Sequence, residues 1–312
     1  MPEPRASLNL SIVIPVLNEE ESVEEIAHRI GVTLMPLQLS YEILFVDDGS
    51  TDGTLAKISV LNQKDCRIKS LSFNRNFGKS YAYSAGFDEA QGEIVLTMDG
   101  DLQDAPEEIP KFLDKIKEGY DLVTGWKYKG KGKRALSSRV FNWITGRSMS
   151  VKVHDSNCPF KAYRREVVKV LRIYGELYRF IPALAYWRGF RVSEIKVENY
   201  PRKSGHSKYG VERFLKGFLD FLTVLFLTRY VKRPLHFFGI FGLFALGGGF
   251  VLDLLIAVTG IISGRVGHQA LLLLGLFLIV IGVQFIFTGL LGEMIYSVKG
   301  WEKEYLVARR IG

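Results

Sequence analysis

The sequence is poor in cysteine: only Cys66 and Cys158 occur among its 312 residues. Neither lies in a spacing typical of zinc sites, and two isolated thiols cannot build a disulfide framework. The N-terminal residues MPEPRASLNL lack the long apolar core of a cleavable signal peptide. These absences predict free thiols in a reducing compartment and no signal peptide.

Two ligand-binding patterns are also missing. The first apolar run continues into PVLNEE, where a dinucleotide-binding oxidoreductase has G-x-G-x-x-G, and this excludes that class. The net charge of +8 is compatible with nucleic acid, but no zinc-finger, RNP or basic-zipper pattern accompanies it. Lysine and arginine cluster instead at 127–139, 202–216 and 229–233, the last directly before an apolar tail. This placement indicates anionic lipid headgroups as the partner.

Charge is scarce in residues 234–292, which contain only four ionisable side chains: His236, Asp253, Arg265 and His268. Segments 234–262 and 266–292 are each long enough, at 1.5 Å per residue, to cross a hydrocarbon core of about 30 Å. The short connection SGRVG predicts a helical hairpin. Positive charge before the first segment and after the second predicts that both ends face the cytoplasm.

The first two thirds of the chain alternate strand and helix patterns. Residues 10–16, LSIVIPV, are typical of a strand buried on both faces. Asn18 is predicted to cap a helix with apolar residues at helical spacing over 23–30. Similar units follow up to about residue 125, which predicts an α/β fold with a mostly parallel sheet covered by helices on both faces. Ligands in such sheets bind beyond the carboxyl ends of the strands.

Two acidic clusters, DDGSTD and DGDLQD, follow predicted strands at Asp47 and Asp99. Calcium loops are excluded, because position 12, counted from Asp48 and from Asp99, is Ser59 or Pro110 instead of glutamate. A solvated turn is the alternative for one such cluster, but two clusters at successive strand ends favour a site. Carboxylates this close repel unless a positive charge lies among them. We therefore expect a divalent cation shared with a diphosphate.

A series of motifs carries a resemblance to a known family: SIVIPVLNEEES, EILFVDDGSTDGT, NRNFGKSYAYSAGFDEAQGE, TMDGDLQDAPEEIP, DLVTGWKYKG, HDSNCPFKAYRRE and RKSGHSK. Together they resemble GT-A glycosyltransferases of family 2, in the dolichol-phosphate mannose synthase-like branch. The apolar tail resembles that of bacterial polyisoprenyl-phosphate glucosyltransferases. One departure is CPF at residues 158–160, where the family usually has SGF. A Q-x-x-R-W motif of processive relatives is absent, which favours a single transfer over polymer synthesis.

The resemblance implies a donor site built from two turns. The first group has two parts. The turn that holds the nucleotide is matched by Pro15, Leu17 and Glu19, and the pair near the base and the ribose is matched by Asp47 and Asp48.

A second group matches the metal and sugar-diphosphate motif, and these residues are Asp99, Gly100, Asp101 and Gln103. Within it, Asp101 and Asp99 are the expected ligands of Mg²⁺ or Mn²⁺.

Five further residues receive roles from the same resemblance. Arg202 and Lys208, six apart as in the family, are expected to grip the diphosphate. Lys127 is expected to contact the diphosphate of the nucleotide sugar, at a position where the family often has arginine, and lysine cannot make the bidentate phosphate contact of arginine. Lys79 is expected to contact the nucleotide, with a solvated lysine as the alternative. Asp155 occupies the base-like position, and base, acceptor orienter and metal contact all stay open for it.

The implied reaction is the inverting transfer of one sugar to polyprenyl (undecaprenyl or dolichyl) phosphate at the cytoplasmic membrane face. UDP-glucose is the expected donor; GDP-mannose or another UDP-sugar is the alternative, and a non-catalytic nucleotide-binding membrane protein is a remote one. The expected domains are a cytoplasmic GT-A catalytic domain at 1–210, an interfacial amphipathic helix at 211–233, a transmembrane hairpin at 234–298 and a cytoplasmic tail at 299–312. Glycines in the first apolar segment also allow a homo-oligomer through these helices.

Overall fold

The computed structural model describes residues 8–127, 153–175, 177–198, 230, 234–263 and 269–298. The chain divides into two compact units, Met1–Phe221 and Leu222–Gly312.

The first unit is built on a sheet of seven strands within the described residues. The strands are β1 (Leu10–Val16), β2 (Tyr41–Asp47), β3 (Ile68–Ser72), β4 (Ile94–Thr97), β5 (Leu122–Lys127), β6 (Lys161–Arg164) and β7 (Val192–Val197). Their order is β3-β2-β1-β4-β6-β5-β7. β6 runs antiparallel to β4 and β5, and the other described pairings are parallel. The prediction of a mostly parallel α/β sheet is confirmed.

Helices cover this sheet. They are α1 (Val23–Leu34), α2 (Thr54–Lys64), α3 (Lys79–Glu89), α4 (Ile109–Lys117), α5 (Arg165–Val170) and α6 (Ile181–Trp187). Short 3₁₀ helices occupy Met35–Leu37, Pro106–Glu108 and Leu177–Phe180. Gly119 follows the C-cap residue of α4, and its φ of 98° favours glycine.

The central strand β1 is buried on both faces, as predicted from its continuous apolar run. The apolar face of α1 belongs to the same hydrophobic core as β1, and its Ile26 and Ile30 are completely buried. The predicted cap of α1 was wrong. The helix begins at Val23 with Ser22 at the N-cap position, whereas Asn18 has a φ of 56° and lies in the preceding turn. In that conformation the Asn18 side chain reaches the loop after β2 instead of the helix.

α3 lies directly on β1, because a Cβ atom at Gly86 would overlap the side chain of Val13. Glycine at this position lets the helix backbone approach the strand closely. The approach brings Lys79, the first residue of α3, within reach of the acidic turn after β4. The close packing at Gly86 therefore determines where Lys79, at the start of α3, lies.

The second unit contains the helices α7 (Pro234–Ser263) and α8 (Gln269–Val298). Each has 30 residues and is therefore about 45 Å long at 1.5 Å per residue. Their apolar spans have mean hydropathies of 2.2 and 2.8, and both are long and apolar enough to cross a membrane. α8 continues to Val298, six residues beyond the end predicted for its apolar segment.

Glycines allow α7 and α8 to pack backbone against backbone. A Cβ atom at Gly242 would lie 2.8 Å from Gly282 O, and one at Gly249 would lie 2.5 Å from Gly275 O. Such small-residue seams are typical of membrane helix pairs. The carboxyl group of Asp253 lies against Gly275 in the same seam. These glycines therefore serve the contact within the hairpin.

One polar contact joins the ends of the two helices. Glu293, near the end of α8, accepts a hydrogen bond from the backbone N–H of Leu235 at the start of α7 (3.2 Å). The first N–H groups of a helix lack intrahelical acceptors, and a carboxylate there also interacts favourably with the helix dipole. Glu293 therefore caps α7 from the neighbouring helix.

Candidate active site

Three loops meet at the carboxyl ends of β1, β2 and β4. β1 lies between the other two strands, with Val16 opposite Asp47 on β2 and Val13 opposite Thr97 on β4. The pairing continues past the end of β2, since Asp48 N donates to Val16 O (2.9 Å). The segments NEE, DDGSTD and DGDLQD therefore lie side by side at one end of the sheet.

The turn after β1 is fastened to the loop after β2. Asn18 N donates to Ser50 Oγ (2.9 Å), and Glu19 N donates to Thr54 Oγ1 (2.9 Å). The side chain of Leu17, between β1 and these contacts, is exposed. The turn predicted to hold the nucleotide is thus fixed through its backbone. It contains Leu17 and Glu19, whereas Pro15 lies in β1 just before it.

Asp47 and Asp48 are buried, and both accept hydrogen bonds from neighbouring loops. Asp47 accepts from Ser50 N (3.0 Å) and Ser72 Oγ (2.8 Å). Asp48 accepts from Gly78 N (3.0 Å), just before α3. The two carboxylates therefore brace the loops around the site. Their role near the base and ribose stays a prediction.

Asp99 forms an ion pair with Lys79, the first residue of α3. The Lys79 ammonium also lies 5.8 Å and 5.7 Å from the ring centroids of Tyr83 and Tyr178. Burial opposes the charge on Lys79, but the Asp99 carboxylate more than offsets this and raises the lysine pKa. A lysine of the chain itself therefore supplies positive charge beside Asp99. The predicted nucleotide contact of Lys79 stays a prediction.

Asp104 is fully buried and forms a second ion pair, with Lys127 at the end of β5 (Oδ1 to Nζ, 2.8 Å). Its other oxygen, Oδ2, accepts a hydrogen bond from Asp99 N (3.0 Å). Burial opposes the charge on Lys127, but Asp104 outweighs it and raises the lysine pKa. Lys127 thus braces the acidic turn from β5, while its predicted place at the diphosphate stays a prediction.

Asp101 lies in a tight turn that packs on β1. Its Oδ1 accepts from Gln103 N (3.1 Å), and Leu102 between them has a φ of 60°. A Cβ atom at Gly100 would lie 2.8 Å from Val16 Cγ1, so only glycine fits there. No group of three or more His, Cys, Asp or Glu side chains suited to a metal ion occurs within the described residues. A metal held by Asp101 and Asp99 would need further oxygen ligands from the substrate.

Asp155 is half-buried in the turn before β6. The preceding residue, His154, donates its backbone N–H to Glu194 Oε2 (2.6 Å) and pairs through its ring with the other oxygen. The same ring stacks on Trp126 at the end of β5, with centroids 4.3 Å apart. These contacts hold the start of the turn between β5 and β7. The catalytic role of Asp155 stays a prediction.

Several predictions fall outside the described residues. Arg202 and Lys208, the residues expected at the diphosphate, lie there. The expected tail, 299–312, also lies outside the described residues. The same is true of the expected amphipathic helix, 211–233, apart from Tyr230.

A family match covers the acidic loops of this site. Residues 11–172 match the family described as Glycosyl transferase family 2. The chain belongs to glycosyl transferase family 2. The matched region runs from β1 to just past α5 and so includes the turns of Asp47, Asp99, Asp101 and Asp155. The family inferred from the motifs is confirmed.

Curated relatives in glycosyl transferase family 2 align over nearly the whole chain. Dodecaprenyl-phosphate galacturonate synthase of Rhizobium johnstonii is 37% identical over 304 residues, which cover 94% of this chain and 89% of the relative. Undecaprenyl-phosphate 4-deoxy-4-formamido-L-arabinose transferase of Yersinia enterocolitica is 34% identical over 320 residues, covering 100% and 96%. The second alignment covers the whole chain and therefore includes the apolar hairpin.

Solved structures share the GT-A fold. Glucosyl-3-phosphoglycerate synthase from Mycobacterium tuberculosis, solved with Mn²⁺, UDP-glucose and phosphoglyceric acid, superposes with a TM-score of 0.54 at 17% identity over 71% of this chain and 79% of that one. Mannosyl-3-phosphoglycerate synthase from Rubrobacter xylanophilus gives 0.56 at 17% identity over 70% and 74%. At this identity the likeness shows the fold alone. The predicted GT-A architecture is confirmed.

Sequence reasoning about this family 2 site missed Lys161, a fully buried lysine at the start of β6. One signal could have found it. Lys161 lies between the apolar residues Phe160 and Ala162 at the start of a short strand, and a lysine at such a position is rarely buried without a specific partner.

The two thiols are expected to differ sharply in reactivity. Cys66 is exposed and Cys158 is buried, and burial raises the pKa of Cys158 to about 12. At pH 8 such a shift lowers the reactive thiolate fraction about 10³-fold relative to an ordinary thiol. We expect a maleimide to label the folded protein once, at Cys66, and twice after unfolding. Mass spectrometry of wild type and a Cys66→Ser control checks this; equally fast labelling of Cys158 in the folded protein would contradict it.

Proposed function

We propose that this protein transfers one sugar from a nucleotide sugar to polyprenyl phosphate, with inversion at the anomeric carbon. The observation that carries the proposal is the continuous similarity to two polyprenyl-phosphate sugar transferases over 94% and 100% of the chain. The apolar hairpin supports the same acceptor. A polyprenyl chain leaves the bilayer only at about 0.8 kcal/mol per CH₂ group, so an enzyme acting on it must work at the membrane.

UDP-glucose is the proposed donor. The names of the two relatives refer to other sugars, galacturonate and 4-deoxy-4-formamido-L-arabinose, so these sugars compete with glucose in the experiment below. GDP-mannose and other UDP-sugars complete the set of alternatives. Discrimination between sugars depends on hydrogen bonds to individual hydroxyl groups.

A divalent cation, Mg²⁺ or Mn²⁺, is the proposed cofactor, and the side chains at the site fit it. Both ions prefer oxygen ligands and are commonly held by one or two carboxylates together with phosphate oxygens. The half-buried Asp101, in the turn fixed by Gly100 and Asp104, offers one carboxylate. Asp99 offers a second one only if Lys79 gives way. When bound, the ion supplies charge stabilisation for the departing diphosphate.

The remaining roles in the reaction are assigned to three side chains. Arg202 and Lys208 are proposed to bind the diphosphate as its negative charge develops. A lipid phosphate has a second pKa of about 6 and is largely ionised at neutral pH, so it needs little help from a base. Asp155 is proposed to orient this acceptor or to accept its remaining proton.

The proposed domains follow the same scheme: a cytoplasmic catalytic domain at 1–210, an interfacial helix at 211–233, the membrane hairpin at 234–298 and a cytoplasmic tail at 299–312. The positive residues that flank the hairpin support this orientation. The basic segment 127–139 is proposed to meet anionic headgroups. Association of subunits through the hairpin is a further part of the proposal.

The test is direct transfer of label into lipid. We expect purified full-length protein, given polyprenyl phosphate and Mn²⁺, to move radiolabel from one member of a nucleotide-sugar panel into the organic phase. The panel contains UDP-glucose, UDP-galacturonate, UDP-4-deoxy-4-formamido-L-arabinose, UDP-N-acetylglucosamine and GDP-mannose. Transfer from none of them would refute the enzyme, whereas transfer from another member would refute only glucose.

A further inference from the structure

Lys161 places a buried ammonium beneath the turn that carries Asp155. It is the first residue of β6, lies opposite Thr97 on β4 and Thr124 on β5, and is only 2% exposed. Its Nζ donates a hydrogen bond to the backbone carbonyl of Cys158 in the same turn. The lysine therefore connects the sheet to the segment between Asp155 and β6.

The charge of Lys161 is buried at an energetic cost. Burying an ammonium carries a desolvation cost that an apolar side chain of similar size avoids. The cost is visible at Lys161, where burial lowers the pKa to about 8, although Cys158, Asp155 and Asp99 favour the charged form and Lys79 opposes it. A buried charge that costs stability among the acidic loops of an active site is a candidate for a functional role.

The turn is held through three consecutive carbonyl groups, those of residues 158–160. The first accepts from Lys161 Nζ, the second from Thr97 Oγ1 (2.7 Å) and the third from Gly125 N (2.8 Å). Each donor belongs to a different strand, since they lie on β6, β4 and β5. Thr97 is also the last residue of the strand that leads into Asp99. The same strands thus fix both the acidic turn after β4 and the turn of Asp155.

We propose that Lys161 is a positioning residue that holds the 155–160 turn and so sets the orientation of Asp155 toward the acceptor. This inference rests on the proposed function. Lys161 acts through the Cys158 carbonyl and touches neither donor nor acceptor. Its removal therefore changes the placement of Asp155 and leaves the nucleotide-binding loops after β1 and β2 intact.

The experiment compares Lys161→Met, Lys161→Arg and the matched surface control Lys169→Met in the full-length protein. Lys169 lies exposed on α5, so its replacement removes one lysine charge from the same unit without disturbing the turn. Transfer kinetics are measured with polyprenyl phosphate and the preferred donor, and UDP affinity and thermal unfolding are measured alongside. The wild type serves as the separate test of the proposed function, because without wild-type transfer that proposal fails first.

We expect Lys161→Met to lower kcat about 10²-fold, the loss typical of a misplacement near 1 Å. The KM for the donor and the affinity for UDP should stay within about threefold of wild type, because a residue that does not contact the donor changes kcat and not donor binding. The melting temperature should stay equal or rise, because a buried charge has been removed. Lys161→Arg, which keeps a charged donor, should recover most of the activity, and Lys169→Met should match wild type.

Three outcomes would overturn the proposal. Lys161→Met could retain wild-type kcat, which would show that the ammonium does not position the turn. Its donor KM could rise by the full factor lost from kcat/KM, which would make Lys161 a donor-binding residue. The variant could also melt at a lower temperature or fail to fold, and the ammonium would then be a requirement of the fold itself.

Discussion

Replacing Asp101 with asparagine is expected to lower kcat by at least about 10³-fold while leaving the fold intact. Asparagine keeps the size of the side chain and an oxygen that can accept the hydrogen bond from Gln103 N, so the turn after Gly100 is preserved. The amide lacks the negative charge that attracts a divalent cation. The loss therefore falls on stabilisation of the departing diphosphate.

Two measurements check this expectation. Sugar transfer gives kcat, and electron paramagnetic resonance of Mn²⁺ titrated in the presence of UDP reports binding without turnover. Asp114→Asn is the matched control, because Asp114 lies on the exposed face of α4 in a surface pair with Lys117. Transfer by Asp101→Asn within tenfold of wild type, or unchanged Mn²⁺ binding, would remove Asp101 from the metal site.

Breaking the buried pair of Asp104 and Lys127 is expected to destabilise the catalytic unit by about 3–5 kcal/mol, because the surviving partner becomes an uncompensated buried charge. The pair is almost inaccessible to water, with side chains 0% and 13% exposed. Asp104→Asn leaves the buried ammonium of Lys127 without its ion-pair partner, and Lys127→Met leaves the buried carboxylate of Asp104 without its partner. Each variant should lower the melting temperature by about 10 °C.

The double variant measures the interaction between the two side chains separately from the effect of losing each one. Asp104→Asn combined with Lys127→Met leaves no unpaired charge, so it should be clearly more stable than either single variant. Glu107→Gln is the matched control, because it breaks the partly exposed pair with Arg29 and should cost about 1 kcal/mol or less. Thermal unfolding followed by tryptophan fluorescence gives all four values. Additive losses in the double variant would show that the two side chains do not stabilise each other.

These pairs change the account of the crowded carboxylates after β4. Sequence reasoning assigned the compensating charge to a divalent cation alone. The structure places Lys79 on Asp99 and Lys127 on Asp104, so the chain itself supplies positive charge to both of these carboxylates. The turn can therefore hold its shape before substrate arrives.

Local patterns in the sequence were sufficient for the architecture. The apolar run of β1, the alternation of strands with helices, and the long uncharged segments of α7 and α8 each depend on burial of neighbouring residues. The cap of α1 failed for a local reason: Asn18 also favours a left-handed turn, and in this chain that turn fastens it to the loop after β2.

The sequence by itself determined the α/β sheet, the apolar hairpin, the family and the turns that carry the acidic residues, because all of these depend on periodicity and on motifs read along the chain. The tertiary structure decided which charges meet. Lys79, Lys127 and Lys161 are distant in the chain and belong to different elements, and no spacing predicts their partners. They reach Asp99, Asp104 and the Asp155 turn because strand order and register, which are non-local, bring β4, β6 and β5 together beside α3.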